Sequence, residues 1–324
     1  MPQNQEKFKT MIGGQALIEG IMMRGPEKDA IVVRSNGEIQ VETQQRKIRP
    51  KNSPLAWPFI RGVVNFFDAQ VTGVKALMRS ADLSPEEQEE PSKFDRWLEE
   101  KLGDKKFQNF LVSSSVALGL GMSILLFFFL PNFIVGLAER WIPGNLLRNL
   151  IEGAVRICIF LVYMFLVSRM GEMKRVFAYH GAEHKTIRCY EAGLPLTVDN
   201  VRQQTRKHPR CGTSFLFVVL IISILVFSAA SSALLAVFPG LETIPGKSLI
   251  MFAVKLLLLP VVVSVAYEIN RIVGRFDNWF TRLLTAPGMW FQNFTTYEPD
   301  DEMIEVGIAS LQAVLPEKEG DDRW

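Results

Sequence analysis

The chain has 324 residues, 48% of them apolar, and a formal net charge of +2. A charge so near zero specifies no partner, and three cysteines exclude a disulfide framework. The apolar residues gather into four long segments with the charges between them, which excludes a pair of soluble domains and points to a membrane protein. Residues 1–10 are polar and lack an apolar run, so no signal peptide is expected.

Residues 13–25 read Gly-Gly-Gln-Ala-Leu-Ile-Glu-Gly-Ile-Met-Met-Arg-Gly, and these glycines do not follow a phosphate-loop spacing. Glu19, flanked by small and apolar residues, reads as part of a turn or strand edge rather than a ligand. In residues 31–41, β-branched runs flank Asn36-Gly37, a pair that favours a type I′ turn, so a hairpin is predicted. Residues 57–80 carry Arg61, Asp68, Lys75 and Arg79 among apolar side chains. That is too polar to span a bilayer and predicts an amphipathic helix at the interface or on the cytoplasmic domain. Residues 82–91 form an acidic linker ending on a proline, expected at the surface.

Four runs are long enough to cross a hydrocarbon core about 30 Å thick. Residues 110–130 and 214–238 are uncharged, 149–168 contains Glu152 and Arg156, and 248–267 contains Lys255. The two short connections carry few basic residues. Lys93, Arg96, Lys101, Lys105 and Lys106 precede the first run, the 169–213 connection is basic, and Arg271, Arg275 and Arg282 follow the last. Basic segments stay inside, so both termini and the 169–213 connection are expected in the cytoplasm of a plasma-membrane protein. Glu152 precedes Arg156 by four residues, the favourable order for a helical ion pair. With Lys255 they are expected to neutralise one another and fix helix packing, a functional role being the alternative.

All three histidines and two of the three cysteines lie between the second and third runs. Residues 171–192 predict a helix stopped by Gly193 and Pro195. On it His180, Glu183, His184, Ile187 and Glu191 share one face. His180-Gly181-Ala182-Glu183-His184 satisfies the five-residue pattern of inverted zinc peptidases, but nothing else here resembles them. Thr197 is expected to cap a short basic helix through Val201 and Arg206. His208-Pro209-Arg210-Cys211 then offers a compact zinc-pair spacing beside the third run. Two arrangements are open. A closed structural site would use His180, His184, His208 and Cys211. An open catalytic site would use His180, His184 and one further ligand, with Glu183 as general base. Histidines that serve as ordinary polar groups, with no metal, are the third reading. Cys189 faces away and is expected to pack. A divalent metal is expected, zinc being preferred because a thiolate is available. The basic residues Lys185, Arg188, Arg202, Arg206, Lys207 and Arg210 would attract an anionic lipid or metabolite, or else set topology and contact headgroups.

Beyond the last run, Trp279 and Trp290 suggest headgroup anchoring. Residues 299–302, Pro-Asp-Asp-Glu, open a helix whose Ile304, Ile308, Leu311 and Leu315 share a face that needs a partner, the N-terminal β segment being the expected one.

The chain therefore divides into an N-terminal segment with a hairpin and an amphipathic helix (1–81), a linker and basic pre-membrane segment (82–106), two membrane helices (107–170), a His/Cys connection (171–213), two more membrane helices (214–270) and a C-terminal segment (271–324). The expected class is an α-helical membrane protein with four transmembrane helices and a small cytoplasmic α+β region built from its two ends. Residues 13–25, Tyr179-His-Gly-Ala-Glu-His-Lys185, His208-Pro-Arg-Cys-Gly-Thr-Ser-Phe215 and Thr295-Thr-Tyr-Glu-Pro299 together resemble the YqhQ family of bacterial multi-pass membrane proteins. That family is described as predicted metal-dependent enzymes, so the resemblance implies His180, Glu183, His184, His208 and Cys211 as a site and supplies no reaction. The expected function is a cytoplasm-facing, metal-dependent membrane enzyme of hydrolytic type. The alternative is a non-enzymatic assembly or scaffold factor with a structural zinc and a basic face for a protein partner. A passive carrier is a third reading.

Overall fold

The computed structural model describes residues 8–46, 50, 52–84, 100, 101, 103–138, 141–244, 246–276, 278–318 and 320–323. Most of the acidic linker, with Lys93 and Arg96, lies outside the described residues. Near the N-terminus, β1 (Gly13–Leu17), β2 (Gly20–Arg24), β3 (Lys28–Ser35) and β4 (Glu38–Gln45) form an antiparallel sheet in that order. The predicted hairpin is β3–β4, and Asn36 and Gly37 both take the positive φ that a type I′ turn requires. The sheet is larger than the sequence suggested, because residues 13–24 fold into a second hairpin. Its turn places Glu19 at φ 49°. A side chain there is held by its contacts: the Arg175 guanidinium clamps the Glu19 carboxylate, and the Tyr179 hydroxyl donates to it at 3.2 Å.

Side chains on β2 and β3 alternate between two buried faces, as strand geometry dictates. Ile21, Met23, Ala30 and Val32 pack with Ala182, Ile187, Val306 and Leu311. Leu17 and Met22 pack with Ala76 on the other face. The first face is covered by α5 (Gly171–Glu191) and α10 (Asp301–Val314), the second by α1 (Ile60–Leu83). Asp300 caps α10 by accepting from Met303 N at 2.8 Å, and Asp301 and Glu302 complement its N-terminal dipole. The expected partner of α10, the N-terminal sheet, is present, and α5 is a second. Gly307 allows that approach: a Cβ there would lie 2.6 Å from Thr186 Oγ1.

Among the described residues, four helices are long and apolar enough to cross a membrane, over residues 110–137, 147–167, 215–237 and 249–275. The first combines α2 (Asp104–Ile124), a π-helical turn (Leu125–Phe129) and α3 (Leu130–Leu137). The others lie in α4 (Asn145–Val167), α7 (Gly212–Val237) and α8 (Lys247–Arg275). The last runs further than expected, since its final two turns pack against α1 rather than ending at residue 267. There Arg61 grips Glu268, and Ser264 Oγ donates to Phe59 O at 2.7 Å. Gly153 lets α4 approach α7 closely, because a Cβ would sit 2.9 Å from the Ile224 side chain.

The intramembrane charges meet. Glu152 Oε1 accepts from Arg156 Nη2 at 2.6 Å and from Lys255 Nζ at 3.0 Å. Arg156 Nε donates to Phe127 O at 2.9 Å. That carbonyl lies in the π-helical turn, where the usual hydrogen-bond ladder is interrupted and a backbone acceptor can turn outward. This is the neutralising arrangement expected from the sequence.

Two shorter α-helices are also present among the described residues. α6 (Val198–Arg202) is capped by Thr197 as expected but stops before Arg206. α9 (Trp279–Thr295) starts at an Asn278–Thr281 capping box. Its buried Phe291 stacks on Phe160 of α4 at 5.3 Å and meets Phe217 of α7 at 5.2 Å, while Trp279, Phe280, Leu283 and Trp290 stay exposed. The sheet, α5 and α10 form one body, so the N-terminal sheet, the 171–211 connection and the C-terminal segment share one side of the four spans.

Candidate metal centre

α5 carries the core of the site, and the segment after α9 holds it in place. Residues 295–299 lie across α5, where Tyr297 N donates to Phe177 O at 2.8 Å. Gly181 makes this contact possible, since a Cβ there would collide with Tyr297 O. Gly181→Ala should therefore push the two backbones apart and lower stability by about 1–3 kcal/mol. A thermal melt of the purified protein in detergent reads this directly, and an unchanged midpoint would remove the contact from the account.

The crossing brings Thr295 O to 2.7 Å from His180 Nδ1. A carbonyl only accepts, so Nδ1 carries the proton and Nε2 keeps its lone pair. His184 repeats the device, with Nδ1 donating to Arg206 O at 2.7 Å. Both Nε2 atoms thus face inward as acceptors. His180 Nε2 lies 3.1 Å from Cys211 Sγ, and His184 Nε2 is buried with no hydrogen-bond partner among the described residues. The ligand atoms of His180, His184 and Cys211 all lie within 4.8 Å of one another.

The electrostatics favour the ligating forms. Burial pushes His184 down to about 4, which keeps its imidazole neutral. For Cys211, burial works against the thiolate. The Thr213 hydroxyl and N–H favour the thiolate, whereas a neutral His184 ring presenting a lone pair adds no stabilisation. Thr213 N donates to Sγ at 3.4 Å because Cys211 occupies the N-cap of α7.

Glu183 sits beside this group. Its Oε1 accepts from Gly14 N at 2.9 Å, and its Oε2 is buried with no partner among the described residues. β1 is an edge strand, so an outward N–H remains for a side chain to use. Gly14 also leaves room, since a Cβ would come within 3.1 Å of the carboxyl carbon of Glu183. Burial raises Glu183 to about 7. A cavity of about 130 Å³ adjoins, lined by residues that include Gly14, Glu183, His184, Arg210 and Cys211.

His208 is placed elsewhere. Gln292 accepts from its N–H at 2.8 Å and donates to its C=O at 2.7 Å, which fixes the backbone. Its ring then turns to Glu191, with Nε2 3.3 Å from Oε2. Its ring centroid is 5.6 Å from that of His184, but the group of three does not include it. Glu191 is also gripped by Arg210 and accepts from Thr10 N at 2.9 Å. Three of the four expected donors, with an adjacent carboxylate, are therefore gathered in this geometry, and the His208 ring stands apart from them. Cys189 is fully buried with Val201 and Ile304, as expected of a packing residue.

The basic residues around the connection also have internal duties. Lys185 is buried, donates to Arg202 O at 2.9 Å and pairs with Glu298. Arg188 donates to Lys207 O at 2.6 Å and Arg206 to Thr296 O at 2.5 Å, while Arg202 bridges Asp199 and Asp301. No residue pattern points to the carbonyls of Thr295 and Arg206, the amide of Gly14 or the clamp of Gln292. Backbone groups carry no residue signature, and Gln292 lies 84 residues from the histidine it holds.

Fold and site together define a four-span membrane protein. A His/Cys-bearing connection is enclosed by its N-terminal sheet and C-terminal segment. The model of a family described as a protein of unknown function (DUF1385) matches residues 57–317. The chain is 33% identical over 323 residues to the "Uncharacterized protein YqhQ" of Bacillus subtilis (strain 168), covering 96% of this chain and 94% of that relative. The chain belongs to this family. No solved structure matches it.

Proposed function

We propose that the protein is a membrane-embedded, metal-dependent enzyme of hydrolytic type with its site on the cytoplasmic face. The buried Nε2 of His184, which lies beside Cys211 Sγ and has no hydrogen bond of good geometry among the described residues, carries this reading. A neutral imidazole whose other nitrogen is tied to a backbone carbonyl is prepared for an ion, and without one the buried acceptor is a cost of about 1–3 kcal/mol. His180, His184 and Cys211 would hold the ion, and this nitrogen and thiolate set suits zinc. A divalent ion bound there supplies Lewis acidity, which acidifies water or polarises a carbonyl or phosphoryl oxygen. Glu183 takes a proton from water at Oε2, the atom left without a partner, while Gly14 holds Oε1. A carboxylate raised to about 7 is matched to proton transfer near neutral pH. The cytoplasmic assignment rests on the basic segments that flank the four spans.

Metal content of the full-length protein, purified in detergent without chelators, tests the site. About one ion per chain is expected in wild type. His180→Ala, His184→Ala and Cys211→Ser should each lose it, because three donors leave no redundancy. His208→Ala should keep it. A metal-free wild type would remove the reading, and loss of metal from His208→Ala equal to that from His184→Ala would replace it with a four-ligand site.

A further inference from the structure

A second, larger cavity of about 720 Å³ lies between the start of α1 and the last two turns of α8. Its lining includes Arg61, Asn65, Tyr267, Asn270 and Arg271, together with Met11 and Arg210. Met11 and Arg210 also line the cavity beside Glu183 and Cys211, so the two spaces share a wall. No carboxylate residue lines the larger one, whereas three arginines do. Arg61 is held by Glu268 and Arg210 by Glu191. Arg271 has no salt bridge among the described residues, so the cleft keeps an excess positive charge. Asn65 and Tyr267, joined at 2.8 Å, and Asn270 add neutral polar groups. Guanidinium and amide groups converging in a recess are the chemistry of phosphate recognition.

The depth of the cleft identifies the source of that phosphate. Tyr267, Asn270, Arg271 and Gly274 belong to the final turns of the fourth apolar helix, at the end that carries Arg271 and Arg275 and so suits a headgroup boundary. Leu55 on the rim, and Trp57, Phe59 and Ile60 beside it, are large, apolar and exposed, as at a membrane surface. A soluble metabolite has no use for such a rim, whereas a lipid keeps its chains there while its head enters the recess.

We propose that this cleft binds the phosphate head of an anionic lipid and presents it to the His180–His184–Cys211 site. The assignment of a substrate rests on the metal-enzyme reading above, but binding in the cleft does not. The probe is full-length protein in phosphatidylcholine nanodiscs with and without 10 mol% phosphatidic acid, with lipid retention read by native mass spectrometry. Preferential retention of phosphatidic acid is expected, reduced roughly tenfold by Arg271→Gln, since one lost charge-assisted pair corresponds to about that factor. Lys174→Gln, which removes an exposed charge on the same side of the spans, should change it less than twofold. A phosphatidic acid carrying a diazirine in its head should label residues 55–65 and 267–274, a readout that needs no variant. Equal loss with Arg271→Gln and Lys174→Gln, or labelling spread over other segments, would overturn the proposal. Glycerol 3-phosphate competing as well as the lipid would overturn the lipid assignment. Metal content is measured on the same preparation. Retention of lipid by a metal-free protein would therefore remove the enzyme reading alone, and a metal-loaded protein without lipid preference would remove the cleft proposal alone.

Discussion

Replacing Glu183 with Gln should leave the protein folded and loaded with metal, yet reduce its cellular activity by a factor of about 10²–10⁴, the usual contribution of a positioned general base. The substitution keeps the shape of the side chain, and an amide oxygen can still accept from Gly14 N–H as Oε1 does. Burial already disfavours the charged form of Glu183, so removing the charge does not destabilise the core, and the melting temperature is expected to be unchanged or higher. What is lost is the proton acceptor at Oε2. Complementation of a deletion strain, with metal content and thermal melts on the purified variant, separates these effects. His184→Ala is the contrasting case, because it removes a donor and should cost metal, stability and function together. If Glu183→Gln complements fully while His184→Ala unfolds the protein, the ion is structural and the catalytic assignment fails.

The candidate site was partly legible in the chain. His180, Glu183 and His184 share a helix face by the arithmetic of i, i+3 and i+4, and this needs no tertiary information. Cys211 was legible as a thiol beside a membrane helix. The direction of the His208 ring was not legible, because the spacing of His-x-x-Cys describes distance along the chain. That direction is set by Gln292, which clamps the His208 backbone, and by Glu191, which draws the imidazole away. The four spans were legible because a bilayer demands a continuous apolar run, and hydropathy alone reports one. The β3–β4 hairpin was legible from Asn36-Gly37. The β1–β2 hairpin was not, since its turn places Glu19 at a positive φ through contacts from a helix more than 150 residues away. The fate of the basic residues was equally hidden: Lys185 was grouped with the residues that attract anions or set topology, and its burial against Arg202 O and Glu298 depends on distant segments.

Glu152→Ala should destabilise the membrane domain far more than the loss of one side chain suggests, by about 3–5 kcal/mol, the scale measured when one partner of a buried ion pair is removed. Glu152 is the single carboxylate shared by Arg156 and Lys255, from two different membrane helices. Without it two cations from α4 and α8 face each other, near Phe127 O, the Phe128 ring and the side chains of Asn149 and Ser228. Outward snorkelling of either side chain would pull the helices from their contacts. The π-helical turn in the first span should respond as well, because Arg156 is the group that uses its freed carbonyl. Replacing all three residues with leucine should restore most of the stability, since the trio then acts as a packing device and apolar side chains can fill its place. Detergent-phase thermal melts of the single, double and triple variants form the test. If the triple variant melts near wild type and still complements, the charges serve assembly of the helices. A triple variant that is stable but inactive would instead assign them a part in function.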